Sequence, residues 1–209
     1  MNKYIFWNVD TMRDFMEKTG ALYVKGAEEI IPNLKKLTDI AEEKDITVIN
    51  SADNHSLEDD EISETPDFIN TFPPHCIRGT SGAAYITETE PYKNLYGCCI
   101  IDPVNPYSIE SLSYFRNIIF LKSVFDTFAG NINTEEILEK VVNKDKQTVV
   151  VYGVSGDYCV NYVVKGLTER GYKVMVVLDA IKSLGETPTE EWEKNGVLLT
   201  NTDSLLKKL

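Results

Sequence analysis

No apolar run in this chain approaches the roughly 20 residues that a membrane-spanning helix needs. Nor does any cluster of lysine and arginine offer a footprint for nucleic acid. Acidic residues outnumber basic ones 33 to 21, and the net charge of −12 weighs against nucleic acid or an anionic membrane as partner. Histidine is scarce, with two copies, and cysteine little commoner, with four. The cysteines form no CxxC pair and two of them, Cys98 and Cys99, are adjacent, so neither a zinc ribbon nor a secreted disulfide framework is written here. The first strand-like segment begins at Tyr4, which leaves no room for a signal peptide before it, and a reducing, cytoplasmic setting is expected. A chain of 209 residues can bury a full core without cross-links, and one domain over 1–209 is expected.

What is present alternates. Strand-like segments fall at 4–9, 46–51, 118–121, 149–154, 173–178 and 197–200. Between several of them lie helical patterns, such as Ile30, Leu34, Leu37 and Ala41. Another is Ile137, Leu138, Val141 and Val142, with Asn133 and Glu136 spaced as an N-terminal capping box. Apolar strands alternating with helices predict an α/β fold: a six-stranded, mostly parallel, doubly wound sheet flanked by helices. Such sheets bind ligands at the carboxyl ends of their strands. The segment 80–117, with its Pro, Gly and Tyr residues, is the least regular; it is expected to be a lid, an insertion or a homo-oligomeric contact.

The residues with chemistry to offer stand just after strands. In VVVYGVSGDYCV, the turn Ser155-Gly156-Asp157 follows a buried strand, Asp157 is placed to cap the next helix, and Cys159 falls in its first turn. A thiol there gains from the helix dipole and from unpaired N–H groups, which lower its pKa and can hold an oxyanion; a buried structural cysteine is the plainer alternative. Asp10, at the end of the first strand, is either a general base or a turn cap. Asp53 and His55, two apart on an extended segment, point to one side, and carboxylate plus imidazole suits Zn, Mn or Fe. The second histidine, His75, follows two prolines in another loop. Glu58, Asp59, Asp60, Glu61, Glu64 and Asp67 supply candidates for a fourth ligand or simply a solvated acidic loop. Lys122 leaves an apolar strand either to snorkel at the surface or to face Asp10 and Cys159. Phe15, Phe72, Phe125 and Phe128 are core by default, and some of them can wall a flat aromatic substrate.

Asp10, Lys122 and Cys159, in that order and each after a strand, make the chain resemble the isochorismatase-like cysteine hydrolases. FWNVDTMRDFM, SADNHS, FPPHCIRGTSGA, LKSVFDTFAGN and VVVYGVSGDYCV carry the likeness, and D-x-H followed by PPHC is similar to the nicotinamidase branch. The resemblance implies an amidohydrolase in which Asp10 deprotonates Cys159 and Lys122 holds Asp10. It implies a cis peptide between Val154 and Ser155, and an oxyanion hole at the N–H groups of Ser155 and Cys159. It implies a divalent metal, zinc first with manganese or iron as alternatives, on Asp53, His55 and His75, where it binds a pyridine nitrogen directly or through water. It implies a small aromatic amide as substrate, with Phe15, Phe72 and Phe128 in its pocket. Asn54 and Phe72 stand where the family often has an aromatic residue and a tryptophan, Gly156 where it often has threonine, and the stretch from His75 to Lys122 looks long.

Overall fold

The computed structural model describes residues 2–91 and 97–209, apart from the side chains of 109, 111 and 113. Seven strands form one sheet among these residues: β1 (Tyr4–Val9), β2 (Val48–Asp53), β3 (Cys98–Ile101), β4 (Asn117–Lys122), β5 (Thr148–Val154), β6 (Lys173–Lys182) and β7 (Leu198–Thr200). Their order is β3-β4-β2-β1-β5-β6-β7, and every pairing is parallel. The expected sheet had six strands. The seventh, β3, lies inside the segment read as irregular: it is four residues long, pairs only with β4 and is partly exposed, so it shows neither a buried run nor a clean alternation.

Buried strands β1, β2 and β5 send alternate side chains to opposite faces, and each face carries its own core. On one face Ile5, Trp7, Val149 and Val151 pack with Ile137 and Leu138 of α4 (Thr134–Val141) and with Val160, Val163 and Leu167 of α5 (Cys159–Glu169). On the other, Tyr4, Phe6, Val150 and Tyr152 meet Leu34, Leu37 and Ala41 of α2 (Ile31–Glu43). The apolar spacing at Leu34, Leu37 and Ala41 is thus a buried helical stripe, as expected. Shorter helices complete the layers: α1 (Arg13–Met16), α3 (Thr127–Gly130), α6 (Thr189–Lys194) and α7 (Thr202–Leu206).

Some local expectations fail for identifiable reasons. The second strand starts at Val48 rather than Ile46, because the Ile46 N–H donates to the Ala41 carbonyl and closes the preceding helix. Asn133 occupies the N-cap position of α4 without capping it; its amide instead donates to the carbonyls of Asp102 and Asn105 and accepts from the Tyr107 N–H. Of the segment 80–117, residues 92–96 lie outside the described residues. The rest supplies β3 and ties back to the first turn, where Met12 and Tyr85 form an antiparallel bridge.

The carboxyl end of β5 runs unusually close to β1. Gly153 has φ 124°, a region closed to side chains, and a Cβ there would overlap the Val9 carbonyl oxygen. Gly153→Ala is therefore expected to destabilise the protein by about 3 kcal/mol in urea unfolding. A loss under ~0.5 kcal/mol would mean the two strands can part without cost.

Candidate active site

Strand order decides which loops meet. The carboxyl ends of β4, β2, β1 and β5 are neighbours, and Asp53 lies directly beside Lys122 in the β2–β4 register. Asp10 follows β1, with φ 47° in the left-handed region, a strained setting for a non-glycine residue. That turn is bracketed by a buried polar network: the Thr11 hydroxyl donates to the Asn8 side-chain oxygen (3.0 Å), and the Asn8 amide donates to Asn50 (3.1 Å). Beyond β5 the Val154–Ser155 peptide is cis, and Cys159 is the first residue of α5.

Lys122 points inward. Its ammonium lies 2.9 Å from Asp10 Oδ2, forms a close ion pair with Asp53 Oδ1 and stands 3.6 Å from Cys159 Sγ. All four side chains are buried. Burial works to strip the proton from Lys122, but the charges of Asp10 and Asp53 outweigh it and hold the ammonium well above its ordinary pKa. Burial pushes the Asp10 carboxyl up, although the Lys122 charge pulls it down. Burial also pushes the Cys159 thiol well up; Lys122 opposes this, while Asp10 and Asp53 add to it. The sequence predicted a lowered thiol pKa from the helix terminus. Burial and the two carboxylates reverse that sign.

Asp157 does not cap α5. Its carboxylate accepts from the Ser155 hydroxyl and from the N–H groups of Leu184 and Gly185, so it fastens the turn to the loop after β6. Within the turn, the N–H groups of Gly156, Tyr158 and Val160 donate to backbone carbonyls. Those of Ser155 and Cys159 have no such acceptor among the described residues.

Asp53, His55 and His75 each present a ligand atom within 4.8 Å of the others. The Nε2 atoms of His55 and His75 lie 3.8 and 3.9 Å from Asp53 Oδ2, and Glu61 Oε1 is 3.8 Å from His75 Nε2. Two ligands bound tetrahedrally to one zinc sit roughly 3.4 Å apart, so the Asp53–His55 and Asp53–His75 pairs stand a few tenths of an ångström wide of that spacing. The ring nitrogens are already oriented: His75 Nδ1 donates to the Pro73 carbonyl (2.7 Å), and His55 Nδ1 faces Asp59 (3.3 Å). His55 Nε2 is left buried with no hydrogen-bond partner among the described residues, an orphaned lone pair that a divalent ion would satisfy. Of the fourth-ligand candidates, only Glu61 reaches the group. Glu58, Asp60 and Glu64 are exposed, Asp59 faces His55 from outside, and Asp67 accepts from the N–H groups of its own turn. Burial and the charge of Asp53 push the Glu61 carboxyl up to about 7.

A cleft of about 330 Å³, counting its open mouth, adjoins Cys159, Asp53, Glu61 and His75. Phe15 and Phe72 wall it, with ring centroids 5.4 and 6.4 Å from that of His75. Phe128 does not reach it. Its ring packs against Trp7 and Gly166 and under the Arg170 guanidinium, because α3 turns that side chain toward α5. Phe125 and Tyr158 stand in the cleft instead, and nothing in the sequence but its neighbour Cys159 marks Tyr158. No described residue of 80–117 lines the cleft.

These charges fix the sign of a pH effect. Removing the negative charge in Asp10→Asn should move the pH midpoint of Cys159 alkylation down, and removing the positive charge in Lys122→Met should move it up. Alkylation rates against pH, read at Cys159 by mass spectrometry, check both; coincident profiles would mean neither charge acts on the sulfur.

Similarity to known proteins agrees with this geometry. The Isochorismatase domain family matches residues 5–197. Isochorismatase family protein 2A of Dictyostelium discoideum is 29% identical over 130 residues, 59% of this chain and 62% of that protein, so the match spans less than two thirds of that relative. Nicotinamidase/pyrazinamidase of Mycobacterium tuberculosis is 26% identical over 172 residues, 82% of each chain. The crystal structure of pyrazinamidase of Pyrococcus horikoshii in complex with zinc shares the fold, with a TM-score of 0.69 and 22% identity over 96% of this chain and 99% of that one. With its parallel sheet, its strand-end site and a family match over nearly the whole chain, this protein belongs to the isochorismatase family of hydrolases.

Proposed function

We propose that the protein is a metal-containing cysteine amidohydrolase that converts nicotinamide and water to nicotinate and ammonia. The observation that carries this reading is the Lys122 ammonium, which joins Asp10, Asp53 and Cys159 into one buried cluster beside the two histidines. Its thiol and carboxylate halves are what acyl transfer from an amide requires, and the aromatic walls at Phe15 and Phe72 suit a flat ring.

The Cys159 thiol gives its proton to Asp10 as sulfur bonds to the amide carbon, and the carbonyl π pair moves onto oxygen. The N–H groups of Ser155 and Cys159 hold that oxyanion. Asp10 returns the proton to the amide nitrogen, the C–N bond breaks and ammonia leaves a thioester on sulfur. Water then adds to the thioester as Asp10 takes its proton; the C–S bond breaks, the acid leaves, and Cys159 recovers the proton. Burial raises the proton affinity of Asp10, which helps it accept the proton, and raises that of the thiol, which opposes the release. Lys122 keeps the charge of the cluster balanced while the proton moves. Asp53, His55 and His75, with Glu61 at hand, would hold a divalent ion, zinc first and manganese or iron as alternatives, which when bound supplies a Lewis-acid anchor for a ring nitrogen. A net charge of −12 fits a small-molecule substrate rather than nucleic acid or membrane, and a thiol nucleophile fits a reducing, cytoplasmic compartment.

Ammonia release from nicotinamide by zinc-replete protein tests the reading. Wild type should turn over, and Cys159→Ala should be inactive. No release from protein whose Cys159 still alkylates would exclude nicotinamide and redirect the search to other small amides. Phe72→Ala is expected to raise KM about tenfold or more, the loss of one ring contact of ~1.5 kcal/mol, while Phe128→Ala should leave KM alone and lower stability instead.

A further inference from the structure

The two histidines converge because one peptide is pinned between them. Cys76 follows His75, and its carbonyl accepts the His55 N–H (3.1 Å). The Arg78 N–H in turn donates to the His55 carbonyl (2.8 Å), so His55 and Ile77 form a short parallel bridge. Both imidazoles are therefore tied to the Cys76 backbone, His75 as its neighbour in the chain and His55 through that hydrogen bond. That residue has φ 45°, in the left-handed region where a side chain other than glycine's or asparagine's is costly. Such a conformation persists where its surroundings over-determine it.

Asp14 does the determining. Its Oδ2 accepts the Cys76 N–H at 2.7 Å, a charge-assisted bond, and its Oδ1 accepts the Ala21 N–H at 3.0 Å. Its own N–H donates to the Gly82 carbonyl (3.1 Å), and Gly82 packs so tightly on the carboxylate that a Cβ there would overlap it. Asp14 in α1 thus meets the 76–82 loop at both ends, its carboxylate at Cys76 and its backbone N–H at Gly82, while the next residue, Phe15, sets its ring against His75. Asp14 neither lines the cleft nor belongs to the metal-ligating group.

We propose that Asp14 is a positioning residue that sets the bite of His55 and His75 on a divalent ion, acting through the Cys76 peptide. This rests on the reading that Asp53, His55 and His75 bind such an ion. The test is zinc affinity of the purified full-length chain by competition with a chromogenic chelator, with the visible spectrum of the cobalt(II) form as a probe of ligand geometry. Asp14→Ala is expected to weaken zinc binding 10- to 100-fold, the range typical when an outer partner of a metal ligand is lost, and to change the cobalt spectrum. Asp14→Asn keeps one carbonyl acceptor for the Cys76 N–H and should recover part of the loss. Gly82→Ala, which displaces the carboxylate without deleting it, should weaken zinc in the same direction and serves if Asp14→Ala does not fold. With every variant saturated in zinc, so that the charge at Asp53 is the same throughout, the alkylation profile of Cys159 should not move in any of them.

Wild type that binds no zinc overturns the metal reading and this proposal together. Wild type that binds, beside Asp14→Ala, Asp14→Asn and Gly82→Ala that bind within twofold of it, overturns this proposal alone. It also fails if zinc affinity falls and the Cys159 alkylation midpoint of the zinc-saturated variants shifts as well, since the disturbance would then not be confined to the histidine pair.

Discussion

A buried ammonium with two carboxylates and a thiol around it is the constraint on which the rest of this molecule turns. Lys122 is 1% exposed, and an unpaired charge at that depth would be prohibitive. It is tolerable because Asp10 and Asp53 flank it, and each of those is tolerable because of Lys122. The pairing locks the ends of β1, β2 and β4 together, since each strand delivers one of the three groups. It also welds two kinds of chemistry, because Asp53 faces the lysine with one oxygen and both histidines with the other.

Burial sets the character of the nucleophile. A helix N-terminus alone would favour a thiolate at Cys159. Desolvation and two nearby carboxylates outweigh it, so the thiol holds its proton until a neighbour takes it. That neighbour, Asp10, is itself raised by the same burial and sits in a left-handed turn bracketed by the bond from Thr11 to Asn8. The proton thus passes between two groups whose affinities burial has moved in the same direction, a better match than an exposed aspartate could give.

The histidine side of the site is built by backbone. His55 and His75 lie in loops 20 residues apart, and a short bridge at Ile77, the bend at Cys76 and the carboxylate of Asp14 bring them together. Their Nδ1 partners, Asp59 and the Pro73 carbonyl, turn both Nε2 atoms toward Asp53. None of these partners has a side chain that is unusual on its own.

The alternation of apolar strands and helices, Cys159 after β5, and the D-x-H and PPHC segments were all legible in the sequence, because each is local: it depends on residues a few positions apart and on the period of the backbone. The same locality explains why Leu34, Leu37 and Ala41 could be read as a buried stripe. Strand order was not legible, and it makes Asp53 the neighbour of Lys122; the path of the loop after β2, no more legible, brings Glu61 rather than five other acids to His75. Nor was the strand at Cys98–Ile101, too short and too exposed to leave a pattern, or the turning of Phe128 away from the cleft and of Asp157 away from the helix it precedes. Those outcomes depend on what lies across the sheet or in the next loop. The sequence by itself determined which chemical groups stand at the ends of strands; tertiary packing decided which of them touch, and how deeply each is buried, which is what sets their charge.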